Sequence, residues 1–142
     1  DVINGLRVTD YSMYPPKEGA SYPIFIPTVD DDGNDIAGIR LPDVSVPLAT
    51  YMGWNLGSEG FAKGSLCSVI GSTIPFLMTK SDRQKSADPR LSIEERYVNH
   101  EAYVKQVEEV AKRLMEKRLL LEDDVKLYVE LARKRDIGLP SQ

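Results

Sequence analysis

Cysteine, histidine and tryptophan each occur once in the 142 residues, as Cys67, His100 and Trp54. A single cysteine excludes an internal disulfide and any cysteine-based zinc site made by one copy. A single histidine excludes a two-histidine metal site, and it leaves His100 as the only standard general base. There is no strong charge excess. Lys and Arg number 18, Asp and Glu 22, for a net charge of −4, so no bulk attraction to nucleic acid or to an anionic membrane is expected. The uncharged run Val44–Ser58 is broken by Pro47, Gly53, Asn55 and Gly57, so no transmembrane helix is expected. No basic segment followed by an apolar stretch opens the chain, so no signal peptide is expected. A G-x-S-x-G elbow is missing too. Ser58, Ser65, Ser68 and Ser72 lie near glycines, but none has that spacing, so a serine nucleophile within the chain is not expected. Neither a Walker loop nor a G-x-G-x-x-G run after a strand is found. No metal site and no cofactor is expected, and the composition leaves the compartment open.

Hydrophobic residues make up 42% and charged residues 28%, ordinary values for one globular domain with a modest core. Proline and glycine divide the chain. Residues 1–91 hold eight of the nine prolines and nine of the ten glycines. This half reads as strands, turns and loops. Residues 92–142 read as helices. The clearest β signal is a hairpin over about 22–42. Ile24, Phe25, Ile26, Thr28 and Val29 form its first arm, Asp30–Asp35 its turn, and Ile36–Leu41 its second arm. Pro23 and Pro27 place the first arm at a sheet edge. Val44–Tyr51 and Leu66–Ile70 are candidate short strands, Gly53–Gly64 a glycine-rich loop, and Thr79 a cap for a short helix.

Ser92-Ile93-Glu94-Glu95 fits a capping box, and Asn99 is a second cap, so Ser92–Tyr97 forms a short separate helix. From Ala102, Tyr103, Val107, Val110 and Leu114, with Val104, Ala111 and Met115, recur at three-four spacing and define one buried face. Glu122, Asp123 and Asp124 suit the positive start of the next helix, and Arg133, Lys134 and Arg135 its negative end. Val125, Tyr128, Val129 and Ala132 form its face, and Gly138 with Pro140 stops it. A short link makes the two helices an antiparallel hairpin. The expected fold class is α+β.

Several groups invite chemistry. Asp30, Asp32 and Asn34 could offer hard oxygen ligands to calcium. Counted from Asp30, however, the glycine of an EF-hand loop falls at the fourth position and Leu41 at the twelfth, so a solvated turn fits better. Cys67 lies in the apolar run Leu66–Ile70 and reads as a small buried hydrophobe. Tyr51, Met52, Trp54 and Phe61 are candidates for a pocket wall, against ordinary core packing. Basic residues in Lys112–Arg118 and Arg133–Arg135 are interrupted by acids or sit at a helix end, so they read as solvated faces.

The segment Ile26–Leu56 (IPTVDDDGNDIAGIRLPDVSVPLATYMGWNL) resembles the C-terminal signature of an uncharacterised bacterial "alpha/beta hydrolase domain" family. Gly71–Phe76 (GSTIPF), Asp88–Tyr97 (DPRLSIEERY) and the terminal helices around RLLLEDD follow in the family's order. The resemblance covers nearly all of the chain after about residue 20. Its members are several times longer, so it implies a C-terminal part of a larger α/β-hydrolase-like protein whose nucleophile lies upstream. It further implies a serine hydrolase acting on a small-molecule ester, with this segment completing the core and shaping the pocket. Tyr51 and Trp54 are then candidate substrate contacts. His100 is the candidate catalytic residue, because the hydrolase triad runs Ser, acid, His and a late histidine has the right order. Its neighbours Asn99 and Glu101 favour instead an exposed helix start. The expected partners are the upstream part of the same protein or a second copy, since a segment taken from such a core exposes apolar surface. The alternative function is a non-catalytic interaction or oligomerisation module.

Overall fold

The computed structural model describes residues 2–59, 63–64, 66–67 and 69–139; Phe61, Ser65, Ser68 and Pro140 lie outside them. In chain order the elements are β1 (Val2–Asp10), β2 (Lys17–Phe25), α1 (Pro42–Ser45), β3 (Ala49–Met52), β4 (Asn55–Leu56), β5 (Leu66–Cys67), β6 (Ser72–Pro75), α2 (Lys80–Ser86), α3 (Ile93–Arg96), α4 (His100–Glu116) and α5 (Glu122–Lys134). The fold is therefore mixed α and β, with three two-stranded sheets among the described residues. Two compact units form: residues 1–28 with 52–72, and residues 29–51 with 73–142. They cut across the compositional boundary at residue 91.

In the first unit, β1 and β2 pair antiparallel from Val2↔Phe25 to Asp10↔Lys17. The Asp10 carboxylate closes the intervening turn by accepting from the Ser12 N–H at 2.9 Å and the Ser12 hydroxyl at 2.6 Å. The hairpin expected over about 22–42 is thus replaced. Ile24 and Phe25 pair backward, with Ile3 and Val2, rather than forward with Ile36–Leu41. The acidic turn still forms. Val29 bridges Asp35, the Asp30 N–H donates to the Asn34 carbonyl at 2.8 Å, and Gly33 takes φ 78°. Its second arm cannot continue as a strand. Gly38 turns at φ 85°, Arg40 is drawn back to Asp30, and Pro42 starts α1. The short β4 and β5 also pair antiparallel in this unit.

The second unit carries the core. Val46, Phe76, Ile93 and Tyr97 pack with Tyr103, Val107, Val110 and Leu114 of α4 and with Ala132 and Ile137. Burial of side chains of this size contributes about 1.5–3 kcal/mol each. Thr79 caps α2 by accepting from the Asp82 N–H at 3.1 Å, and Asn99 caps α4 by accepting from the Ala102 N–H at 2.8 Å. At α3 the glutamate reaches back as expected, since the Ser92 N–H donates to Glu95 Oε2 at 3.1 Å. The serine hydroxyl also donates to the same oxygen at 2.7 Å. Helices α4 and α5 pack together across the link Lys117–Leu121, where Arg118 takes φ 60°. His100, at the start of α4, meets Ala132 near the end of α5, so the pair is antiparallel. The α5 face is narrower than expected: Val125 and Ala132 are buried, Tyr128 and Val129 half-buried.

Candidate functional site

Aspartates cannot be buried side by side unless cations or N–H groups meet them. In the second unit both kinds of partner arrive. Asp30 Oδ1 accepts the N–H groups of Asp32 and Asn34, each at 3.0 Å, and Oδ2 accepts from Arg40 at 2.5 Å. Burial opposes ionisation of Asp30, but the bonds from Arg40, Asn34 and Asp32 outweigh it and hold the carboxyl below its ordinary range. Asp32 meets Arg96 through both carboxylate oxygens, Nη1 lying 2.7 Å from Oδ2. Asn34 is fully buried. Its amide donates to the Ala49 carbonyl at 3.2 Å and accepts from the Tyr51 N–H at 2.8 Å. The three side chains considered for calcium are therefore all engaged within the protein.

The segment Asp88–Arg96 supplies the other half. Asp88 grips Arg90 in a bidentate pair at 2.6 and 3.0 Å, and that bond first of all holds the Asp88 carboxyl down at about 2. Arg90 Nη1 also donates to Thr50 Oγ1 at 2.9 Å and to the Ile74 carbonyl at 3.0 Å. The Thr50 hydroxyl in turn donates to the Asp32 carbonyl. Both guanidinium groups lie over the buried Phe76 ring, Arg96 at 4.0 Å and Arg90 at 5.2 Å from its centroid. A further pair, Arg83 with Glu95 at 2.7 and 3.0 Å, ties α2 to α3 and first among causes holds the Glu95 carboxyl down at about 2. Asp31, Asp32, Pro89, Arg90, Leu91 and Arg96 line an open cleft of about 540 Å³. Its arginines are already matched by carboxylates, so the cleft is charge-paired rather than cationic.

The sequence-derived candidates fall elsewhere. His100 Nε2 lies 3.1 Å from the Ala132 carbonyl oxygen and 3.0 Å from that of Arg135. Both carbonyls lie at the end of α5, where the Ala132 oxygen also accepts from the Arg135 N–H at 3.3 Å, so the imidazole adds to the cap of that helix. Tyr51 is half-buried in the second unit. Burial first, then the Asp43 carboxylate, pushes its hydroxyl up, against Arg135. Trp54 belongs to the first unit, is half-buried, and its carbonyl accepts from the Ser72 hydroxyl at 3.1 Å. Among the described residues, no group of three metal-ligating side chains converges. No helix there is long and apolar enough to cross a membrane. Arg90, Arg96, Thr50 and Phe76 are not among the candidates the sequence singles out. The signal available was the repeated pairing of Asp or Glu with Arg across the signature segments.

The segments that knit this network together, Asp30–Asp35, Ile74–Phe76 and Asp88–Arg96, are those on which the family resemblance rests. The alpha/beta hydrolase domain family matches residues 8–130, and the chain belongs to that family. No curated protein and no solved structure matches the chain.

Proposed function

We propose that this chain is the C-terminal portion of a hydrolase of ester-type bonds, completing its core and shaping its pocket while the nucleophile comes from upstream. One observation carries the reading. The family's signature segments are spent on a closed arginine–carboxylate network around Phe76, an arrangement suited to holding loops in place. Family membership supports the hydrolase class. Tyr51 and Trp54, each half-buried, are proposed separately as aromatic contacts for a small-molecule ester. We assign His100 a positioning role: its ring nitrogen is occupied by the end of α5.

The test uses p-nitrophenyl ester turnover by this chain and by the longer protein that carries it. The isolated chain is expected to show none and the longer protein to turn over. His100→Ala in the longer protein is expected to leave kcat within about twofold. It should cost about 1 kcal/mol of stability through the lost helix cap. A loss of kcat of about 100-fold or more with an unchanged melting curve would make His100 catalytic. Turnover by the isolated chain would place the nucleophile inside it.

A further inference from the structure

Helix α5 has more apolar surface than its own unit covers. Val125 and Ala132 are buried, yet Leu127 and Leu131 remain 52% and 47% exposed. At about 100° per residue, Asp124, Leu127, Leu131 and Lys134 fall on one stripe, at spacing i, i+3, i+7, i+10. This is the spacing of a helix–helix seam, with an acid at one end and a base at the other. Asp124 is half-buried, and its carboxylate accepts from the Leu121 N–H at 3.0 Å. Lys134 is exposed and reaches Glu130 at 2.5 Å on its own helix.

We infer that this stripe is a self-complementary interface, and that its occupant is α5 of a second copy of the chain, running antiparallel about a two-fold axis. The argument is charge complementarity. A two-fold axis crossing the stripe midway between Leu127 and Leu131 sets Leu127 of one copy against Leu131 of the other. It also sets Asp124 against Lys134, twice over. Parallel pairing would instead stack acid on acid and base on base. Antiparallel pairing also opposes the two helix dipoles favourably. The 13-residue helix is about 20 Å long, which buries less than a standard interface. The association is therefore weak and reversible. It does not depend on the hydrolase reading.

Sedimentation equilibrium of the chain Asp1–Gln142, from about 10 µM to about 1 mM, tests this directly. A monomer–dimer equilibrium is expected. Leu127→Lys with Leu131→Lys should abolish it while leaving the helical circular dichroism and melting curve unchanged, because both positions are exposed. Lys134→Glu should weaken the dimer by about tenfold or more, and Asp124→Lys in the same chain should restore it, followed alongside a melting curve because Asp124 also caps α5. A chain monomeric across the whole range would overturn the inference, as would a dimer that survives the double leucine substitution. If another part of a longer polypeptide covers this stripe, the isolated chain gives the monomeric outcome.

Discussion

Asp32 shows how much depends on a single side chain here. Its side chain is 20% exposed and that of Arg96 only 11%, so the pair sits mostly out of water. Removing the acid leaves a buried guanidinium with no carboxylate, and such a break costs about 3 kcal/mol. Asp32→Ala is therefore expected to lower the melting temperature by about 10 °C. Arg96→Lys keeps the charge and loses the fork, so it should cost less, about 1 kcal/mol. A melting temperature unmoved by Asp32→Ala would show that the network is not what holds the turn. The acidic run was legible as a turn because Asp, Asn and Gly carry turn geometry locally. Its partners were not legible. Arg96 lies 64 positions away in sequence, and only folding brings it to Asp32.

Elements divide along the same line between local and distant causes. The α4 face was readable because a helix repeats every 3.6 residues within one segment, and Tyr103, Val107, Val110, Ala111 and Leu114 are buried as that period requires. The separate α3 was readable because its cap and that of α4 are local too. A strand's partner is not written in the strand. Ile24 and Phe25 have β character wherever they pair, and pairing with the upstream Ile3 and Val2 left the acidic turn to close alone. That turn rests on Gly33. At φ 78° a side chain is strained, and an added Cβ would come within 2.8 Å of Thr50 Cγ2. Gly33→Ala is expected to lower stability by about 2 kcal/mol, read as a lower urea midpoint at unchanged slope. An unchanged midpoint would mean that the turn adapts without cost.

For the whole molecule, acid should undo what the arginines hold. Asp88 and Glu95 are both held down at about 2, first by their hydrogen bonds to Arg90 and Arg83. In an unfolded chain such groups titrate near about 4. The folded state thus takes up these protons less readily than the unfolded one. The stabilisation is complete above about pH 4.5 and is lost as pH falls toward about 2. The melting temperature should be nearly flat from about pH 7 to about pH 5 and then drop steeply, and Asp88→Asn should make the drop shallower. A melting temperature equally flat down to about pH 2 would contradict this. Exposed pairs such as Lys112 with Glu108 and Lys126 with Glu122 should matter little, since water and salt screen such surface contacts.

The division into two compact units has a spectroscopic consequence. Trp54, the sole tryptophan, belongs to the first unit, while Tyr51, Tyr97, Tyr103 and Tyr128 belong to the second. Indole fluorescence excited beyond the tyrosine band therefore reports one unit alone. The near-ultraviolet dichroism of the packed tyrosines, where Tyr97 and Tyr103 meet edge to face at 5.2 Å, reports chiefly the other. Superimposable unfolding curves from the two signals would mark one cooperative transition. Curves that separate would give each unit its own midpoint in a single unlabelled sample.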